Sequence, residues 1–188
     1  MESRRLKGIN FFGTLAAFER ELGAAARQKL EAELTEPLKS AMEHGEIVAA
    51  GWYPAEWYDA LLRAILTQPG VDLPRLKRIA REAVIHDFKT LFRVMRMFIA
   101  PSTAASQALR VASRYIDGGK IAVVEADDGR VHFQFTEFWG YTHLMWLDFI
   151  GGIEGVLESM GCRDIASRVQ SGGGDRDDTL SLVITWTI

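Results

Sequence analysis

One cysteine, five prolines and four histidines are all that this 188-residue sequence carries of those types, and each scarcity narrows the chemistry open to it. The single thiol, Cys162, cannot close an internal disulfide and has no second cysteine for a zinc-thiolate site. Beside Gly161 at a helix end it reads as a small packing residue. His44, His86, His132 and His143 are scattered, with no HxH, HExxH or His–Cys spacing, which argues against a transition-metal site. No apolar run approaches the roughly 20 residues of a membrane span, because Arg93, Arg96, Asp148 and Glu154 interrupt the longest ones. The opening MESRRLKGIN lacks the apolar core of a secretory signal. A cytoplasmic location without membrane insertion is the expectation.

What is present suits a soluble globule: 48% hydrophobic and 25% charged residues, enough for one domain over residues 1–188. The net charge of −3 hides an asymmetry. Residues 1–116 hold 17 Lys and Arg against 13 Asp and Glu, whereas residues 117–188 hold 5 against 12. Opposed charge of this kind lets the halves attract each other, or lets the protein dock on partners. With a pI near 5.8 and no recognition motif, nucleic acid is not an expected partner.

The first two-thirds reads as helical. Asn10 is placed to cap a helix in which Phe11, Leu15, Phe18 and Leu22 recur at helical spacing, with Gly23 as its end. A second helix is expected over residues 24–44, bent at Pro37, a third from Pro54 to the Gln68-Pro69-Gly70 stop, a fourth over 74–99 and a short one from Pro101 to Tyr115. After Asp117-Gly118-Gly119 the period changes to two. KIAVVEA and VHFQFTE form a hairpin through Asp127-Asp128-Gly129-Arg130, and RDIASRVQ and TLSLVITWTI a second across SGGGDRDD, read as a flexible tip. Between the hairpins lies WLDFIGGIEGVLESMG, residues 146–161, with Trp146, Phe149, Ile150, Ile153, Val156, Leu157 and Met160 on one stripe, expected to cover a sheet. Gly151, Gly152 and Gly155 each weaken a helix by about 1 kcal/mol relative to alanine, so another backbone or a flat ligand is expected close to that flank. The fold class that follows is α+β: a helical half, 1–116, then a ββαββ half, 117–188, with a four-stranded antiparallel sheet.

This order of elements, with Phe12–Leu15, Tyr53-Pro54, Asp117–Lys120 and Phe149–Gly155, resembles the haem-binding H-NOX domain and its haem-free relatives. Those include the vinyl-reductase-type small-ligand domains and the TRAPP vesicle-tethering subunits. The pattern is nearest to an uncharacterised paralogous family expanded in myxobacteria. H-NOX domains take an axial histidine from the helix before the first strands, which here corresponds to PSTAASQALRVASRYI and contains none. Their Tyr-x-Ser-x-Arg propionate set falls on Phe135-Thr136-Glu137-Phe138-Trp139. The resemblance therefore implies the fold without the family's haem anchors, and no cofactor is expected.

Projected faces supply the candidate residues. A ligand pocket between the halves is expected to involve Phe92, Met95 and Ala108 on the helical side and Trp139, Phe149 and Gly152 on the other. Arg75, Arg78, Arg81, Lys89, Arg93 and Arg96 project as one basic stripe, an anion or partner surface. His86 and Asp87 are expected as buried polar residues, Asp87 capped or paired with Arg110 or Arg114. No second group tuned against Asp87 for acid–base work is evident, and no catalytic residue is assigned. The expected function is a non-enzymatic bacterial sensor or adaptor that binds an apolar small molecule or a protein partner, with a second copy of the chain a further candidate. Two alternatives remain: an interaction or dimerisation module whose pocket is filled, and a haem sensor using a non-family histidine.

Overall fold

The computed structural model describes residues 4–91, 116–175 and 177–187, and of 87–91 the backbone alone. Within them the chain runs β1 (Arg5–Lys7), α1 (Gly8–Leu22), α2 (Ala24–Glu33), α3 (Leu38–Glu43), β2 (Trp52–Pro54), α4 (Ala55–Leu66), α5 (Leu73–Leu91), β3 (Lys120–Asp127), β4 (Arg130–Thr136), α6 (His143–Ser159), β5 (Arg163–Gly172) and β6 (Leu180–Thr187). The α+β class expected from the sequence is the one observed, and the four long strands form an antiparallel sheet of order β3-β4-β6-β5.

Alternation fixes which face of that sheet is inside. Val131, Phe133 and Phe135 of β4 pair across with Ile184, Leu182 and Leu180 of β6, and all six are buried. They join Phe11, Leu15 and Phe18 of α1, Leu61, Leu62 and Ile65 of α4, and Leu76 and Ile79 of α5 in one continuous core. Each such side chain contributes about 1.5–3 kcal/mol on burial.

Three local expectations change. Asn10 is not the cap of α1. The helix starts at Gly8, straight out of β1, and the Asn10 amide donates to the Lys7 carbonyl within the first turn at 3.1 Å. Glycine is required there because a Cβ on Gly8 would collide with the Val48 carbonyl. The strands β1 and β2, paired antiparallel, have three residues each, too few to display a period of two. The stretch 24–44 is not one bent helix but two, α2 and α3, separated over residues 34–37.

The glycine-bearing helix α6 is the centre of the fold, buried nearly all round. Its Trp146, Ile150, Ile153 and Leu157 belong to the core, while Gly151 and Gly155 lie against α5. A Cβ on Gly155 would sit 2.6 Å from the Arg81 carbonyl oxygen, and one on Gly151 would overlap that of Lys77. The close neighbour expected on that flank is therefore the backbone of another helix, and the packing is helix on helix, not helix on sheet alone. Beside the contact Glu154, 5% exposed, receives the Lys77 ammonium at 2.7 Å. Lys77 also donates to Ser167 Oγ of β5 at 2.7 Å, which ties α5 to the sheet.

Asp175 and Asp177, in the stretch between β5 and β6, lie against the start of α6. Asp175 accepts from the His143 amide at 2.8 Å, and the Trp146 indole N–H donates to the Asp177 carbonyl at 3.3 Å. A second lock holds the same end. Thr142 Oγ1 accepts from the Met145 amide at 3.4 Å as the helix cap, and donates to Asp59 Oδ1 of α4 at 2.5 Å. Thr142→Val should thus lower stability by about 0.5–2 kcal/mol, the range of a lost cap, measurable as a lower urea midpoint with an unchanged slope.

Candidate functional site

Where the helical half meets the sheet, aromatic and polar groups meet along α6. The aromatic part is a wall of Phe135 from β4, Phe138 and Tyr141 from the following loop, and Trp146 and Phe149 from α6. Ring centroids lie 5.3 Å apart for Phe135–Phe149, 5.1 Å for Phe138–Trp146 and 4.9 Å for Tyr141–Trp146. Edge-to-face and tilted geometry of this kind adds roughly 0.5–1.5 kcal/mol per pair beyond burial. Phe138 fits because residue 119 is a glycine at φ 82°, whose missing Cβ would stand 2.6 Å from the ring.

The polar part spans three helices. Thr14 of α1 and Tyr58 of α4, both buried, have their hydroxyls 2.7 Å apart. The Tyr58 hydroxyl donates to Asp148 of α6, 3.1 Å from each carboxylate oxygen. One phenolic proton is thus shared between two acceptors, and no ion pair reaches Asp148 among the described residues. Although the residue is half-buried, desolvation of its carboxyl dominates and pushes its pKa up to about 7, with the Tyr58 hydrogen bond opposing. Tyr58 is itself raised well above the ordinary phenol range, by burial first and then by the Asp148 charge. Tyr141 is raised by burial and by Asp148, against the opposing charge of Arg4.

Arg4 holds the N-terminal segment against the sheet by donating to the Glu137 carbonyl at 2.5 Å and the Asp117 carbonyl at 3.2 Å. The backbone at Gly118, φ 84°, leaves the space its guanidinium occupies. Arg5 pairs with Asp117 at 2.7 Å.

The residues singled out from the sequence fall in different places. Phe149 is part of the aromatic wall. Gly152 faces Val84 of α5 at ordinary contact distance, and Trp139 is 48% exposed, so these three do not converge. Phe92, Met95 and Ala108 lie outside the described residues. Of the basic stripe, Arg75 and Arg78 both engage Glu21 of α1, at 2.8 and 2.6 Å, and Arg81 engages Glu158 of α6 at 2.6 Å. These arginines thus pair with carboxylates on two different neighbours. The Lys89 side chain, Arg93 and Arg96 are outside the described residues, as is the side chain of Asp87. His86 is exposed, not buried. Helix α5 packs against both α1 and α6, burying Leu76, Ile79, Ala80, Ala83 and Ile85, so its burial does not follow the single apolar stripe that placed His86 inside.

Asp148 was not among the residues the sequence marked, yet a signal exists. It lies in WLDFI, one turn before Gly151 and two before Gly155 on the same helical flank, an acidic residue in an otherwise apolar run. Like Asp87, it is a carboxylate projected onto an apolar helical face.

No protein-family model and no curated protein matches this sequence. Solved structures do match, over 97% of the chain. An Fe(II) unliganded H-NOX protein from K. algicida is 14% identical, with a TM-score of 0.69 and 97% of each chain covered. An H-NOX protein from S. oneidensis in the Fe(II)NO state is 12% identical, with a TM-score of 0.69, covering 97% of this chain and 100% of its own. An oxygen-binding H-NOX domain related to soluble guanylate cyclases is 11% identical at a TM-score of 0.61, covering 97% and 96%. The fold is therefore H-NOX-like. Among the described residues no helix is long and apolar enough to cross a membrane.

That fold raises the question of haem, on which the positions of the histidines bear. His44 and His143 are exposed, like His86, and His132 is half-exposed on the outer face of β4, bonded to Ser181 Oγ at 2.8 Å. The His143 ring meets the Gly173 carbonyl at 3.1 Å. None is buried, and residues 92–115 contain no histidine. At the positions matched to the propionate set Phe135 is buried, Glu137 pairs with Lys120, and Trp139 is half-exposed. The residues present do not fit a haem held by an axial imidazole in the interior.

Proposed function

We propose that the chain is a non-enzymatic, haem-free sensor or adaptor domain of bacterial signalling on the H-NOX-like fold, acting in the cytoplasm and binding an apolar small molecule between its helical half and its sheet. The observation that carries this reading is an interior aromatic wall in a haem-sensor fold whose four histidines all lie outside the core. Aromatic rings with a few convergent polar groups are what apolar ligands require, and the Tyr58–Asp148 pair supplies polar groups on the neighbouring flank of α6. Its place among the fold's relatives is then with the haem-free, vinyl-reductase-like and TRAPP-like members. Asp148 is accompanied by tyrosines and a threonine, without the second tuned acid or base that catalysis by proton transfer needs. Among the described residues there is also no group of three or more His, Cys, Asp or Glu placed to hold a metal ion.

A second reading, an interaction or dimerisation module with a filled pocket, draws support from exposed apolar side chains of the helical half. Phe12, Val48 and Trp52 are large apolar residues left exposed. Native mass spectrometry of protein purified without refolding separates the two. A monomer carrying an additional small-molecule mass is the expected result. A clean apo dimer would sink the ligand-binding reading in favour of the module.

A further inference from the structure

We propose that Asp148 is a proton-operated latch, closing the seam between α6 and the helices α1 and α4 when its carboxyl is protonated and loosening it when ionised. The geometry is a hydrogen-bonded chain across three helices, from the Thr14 and Tyr58 hydroxyls to the Asp148 carboxyl, with contacts of 2.7 and 3.1 Å. A carboxylate in that position receives a single phenolic proton, whereas a neutral carboxyl adds a donor of its own and sheds the desolvation cost of the charge.

Among the described residues no cation pairs with the Asp148 carboxyl. The titratable and charged groups facing Asp148 among the described residues are Tyr58 from α4 and Tyr141 from the loop before α6. Arg4, from the N-terminal segment, acts on Tyr141 and donates to backbone carbonyls. Asp59 of α4 is taken up by Arg63 at 2.6 Å and by Thr142. On the α5 side Lys77 belongs to Glu154 and Arg81 to Glu158. The raised titration of Asp148 has burial as its first cause and agrees with this arrangement.

The latch has consequences beyond the seam because α6 also carries Trp146 and Phe149 of the aromatic wall and meets α5 through its glycine flank. Ionising Asp148 thus bears on the wall through the helix that carries both.

An unfolded aspartate titrates near 3.9, whereas Asp148 in the fold holds its proton to about 7. Stability is accordingly fullest below the unfolded value, is lost as pH rises toward the folded one, and levels above it. The unfolding equilibrium constant is expected to rise by about a hundredfold from pH 5 to pH 8 through this group. Asp148→Asn should remove that rise, and Tyr58→Phe should move the titration higher still. The direct test is a carbon-13 NMR titration of the Asp148 carboxyl in the wild-type protein, which remains available if either variant fails to fold, together with amide exchange across α4 and the first turns of α6. A midpoint near 7 with protection lost above it supports the latch. A midpoint in the ordinary carboxylate range, or protection across the seam that does not change with pH, overturns it.

Discussion

Alanine at both Gly151 and Gly155 will destabilise the protein by about 3 kcal/mol, whereas alanine at Gly152, between them, will stabilise it by about 0.5–1 kcal/mol. The opposite signs follow from what each new methyl would meet. At Gly155 it is the Arg81 carbonyl oxygen at 2.6 Å, and at Gly151 that of Lys77. Both belong to the backbone of α5, which cannot yield like the tip of a side chain. At Gly152 the nearest atom is Val84 Cγ2 at 3.5 Å, ordinary contact, so the helix keeps the propensity gain of alanine. Separation of α5 from α6 also strains the Lys77–Glu154 pair, whose buried carboxylate depends on that ammonium. Chemical denaturation of the two variants beside the wild type reads both effects. Equal signs would contradict the helix-on-helix contact.

Trp146→Ala is expected to cost about 3–5 kcal/mol, the range for deleting a buried large aromatic. Its ring is 1% exposed and meets Phe135, Phe138, Tyr141 and Phe149. Its indole N–H also holds the Asp177 carbonyl of the β5–β6 loop. The loss should appear in two ways: a lower urea midpoint, and faster proteolysis at residues 172–178 once the loop loses its anchor. Trp146→Phe keeps most of the apolar volume and removes the hydrogen bond, so it should reproduce the loop effect with a smaller loss of midpoint.

The sheet was legible in the sequence because alternation over seven or eight residues, as in β4 and β6, overdetermines which face is buried. The helices α1 and α4 were legible for the same reason at the helical period, with Gly23 and Pro54 marking boundaries. The strands β1 and β2 were not, since three residues show no period and their pairing joins positions nearly fifty residues apart. The glycine flank of α6 announced a close approach, but only the packed structure says that the approaching backbone is α5. The site was less legible still. His86 was placed by assuming that α5 has one buried face, when it packs against two neighbours. The apolar run WLDFI carries a signal for Asp148 as an acidic residue on a covered helix, but its partners Tyr58 and Thr14, 90 and 134 residues away in sequence, come to face it only in the fold.

The most direct test of the account is the visible absorption spectrum of the protein produced with a haem precursor supplied and purified without refolding, recorded in the ferrous state with and without nitric oxide. With no histidine buried among the described residues and none in residues 92–115, the account predicts no Soret band and no change on adding the gas. A stoichiometric Soret band that shifts with nitric oxide, and is lost in a His86 or His143 variant, would contradict it and make this H-NOX-like fold a haem sensor after all.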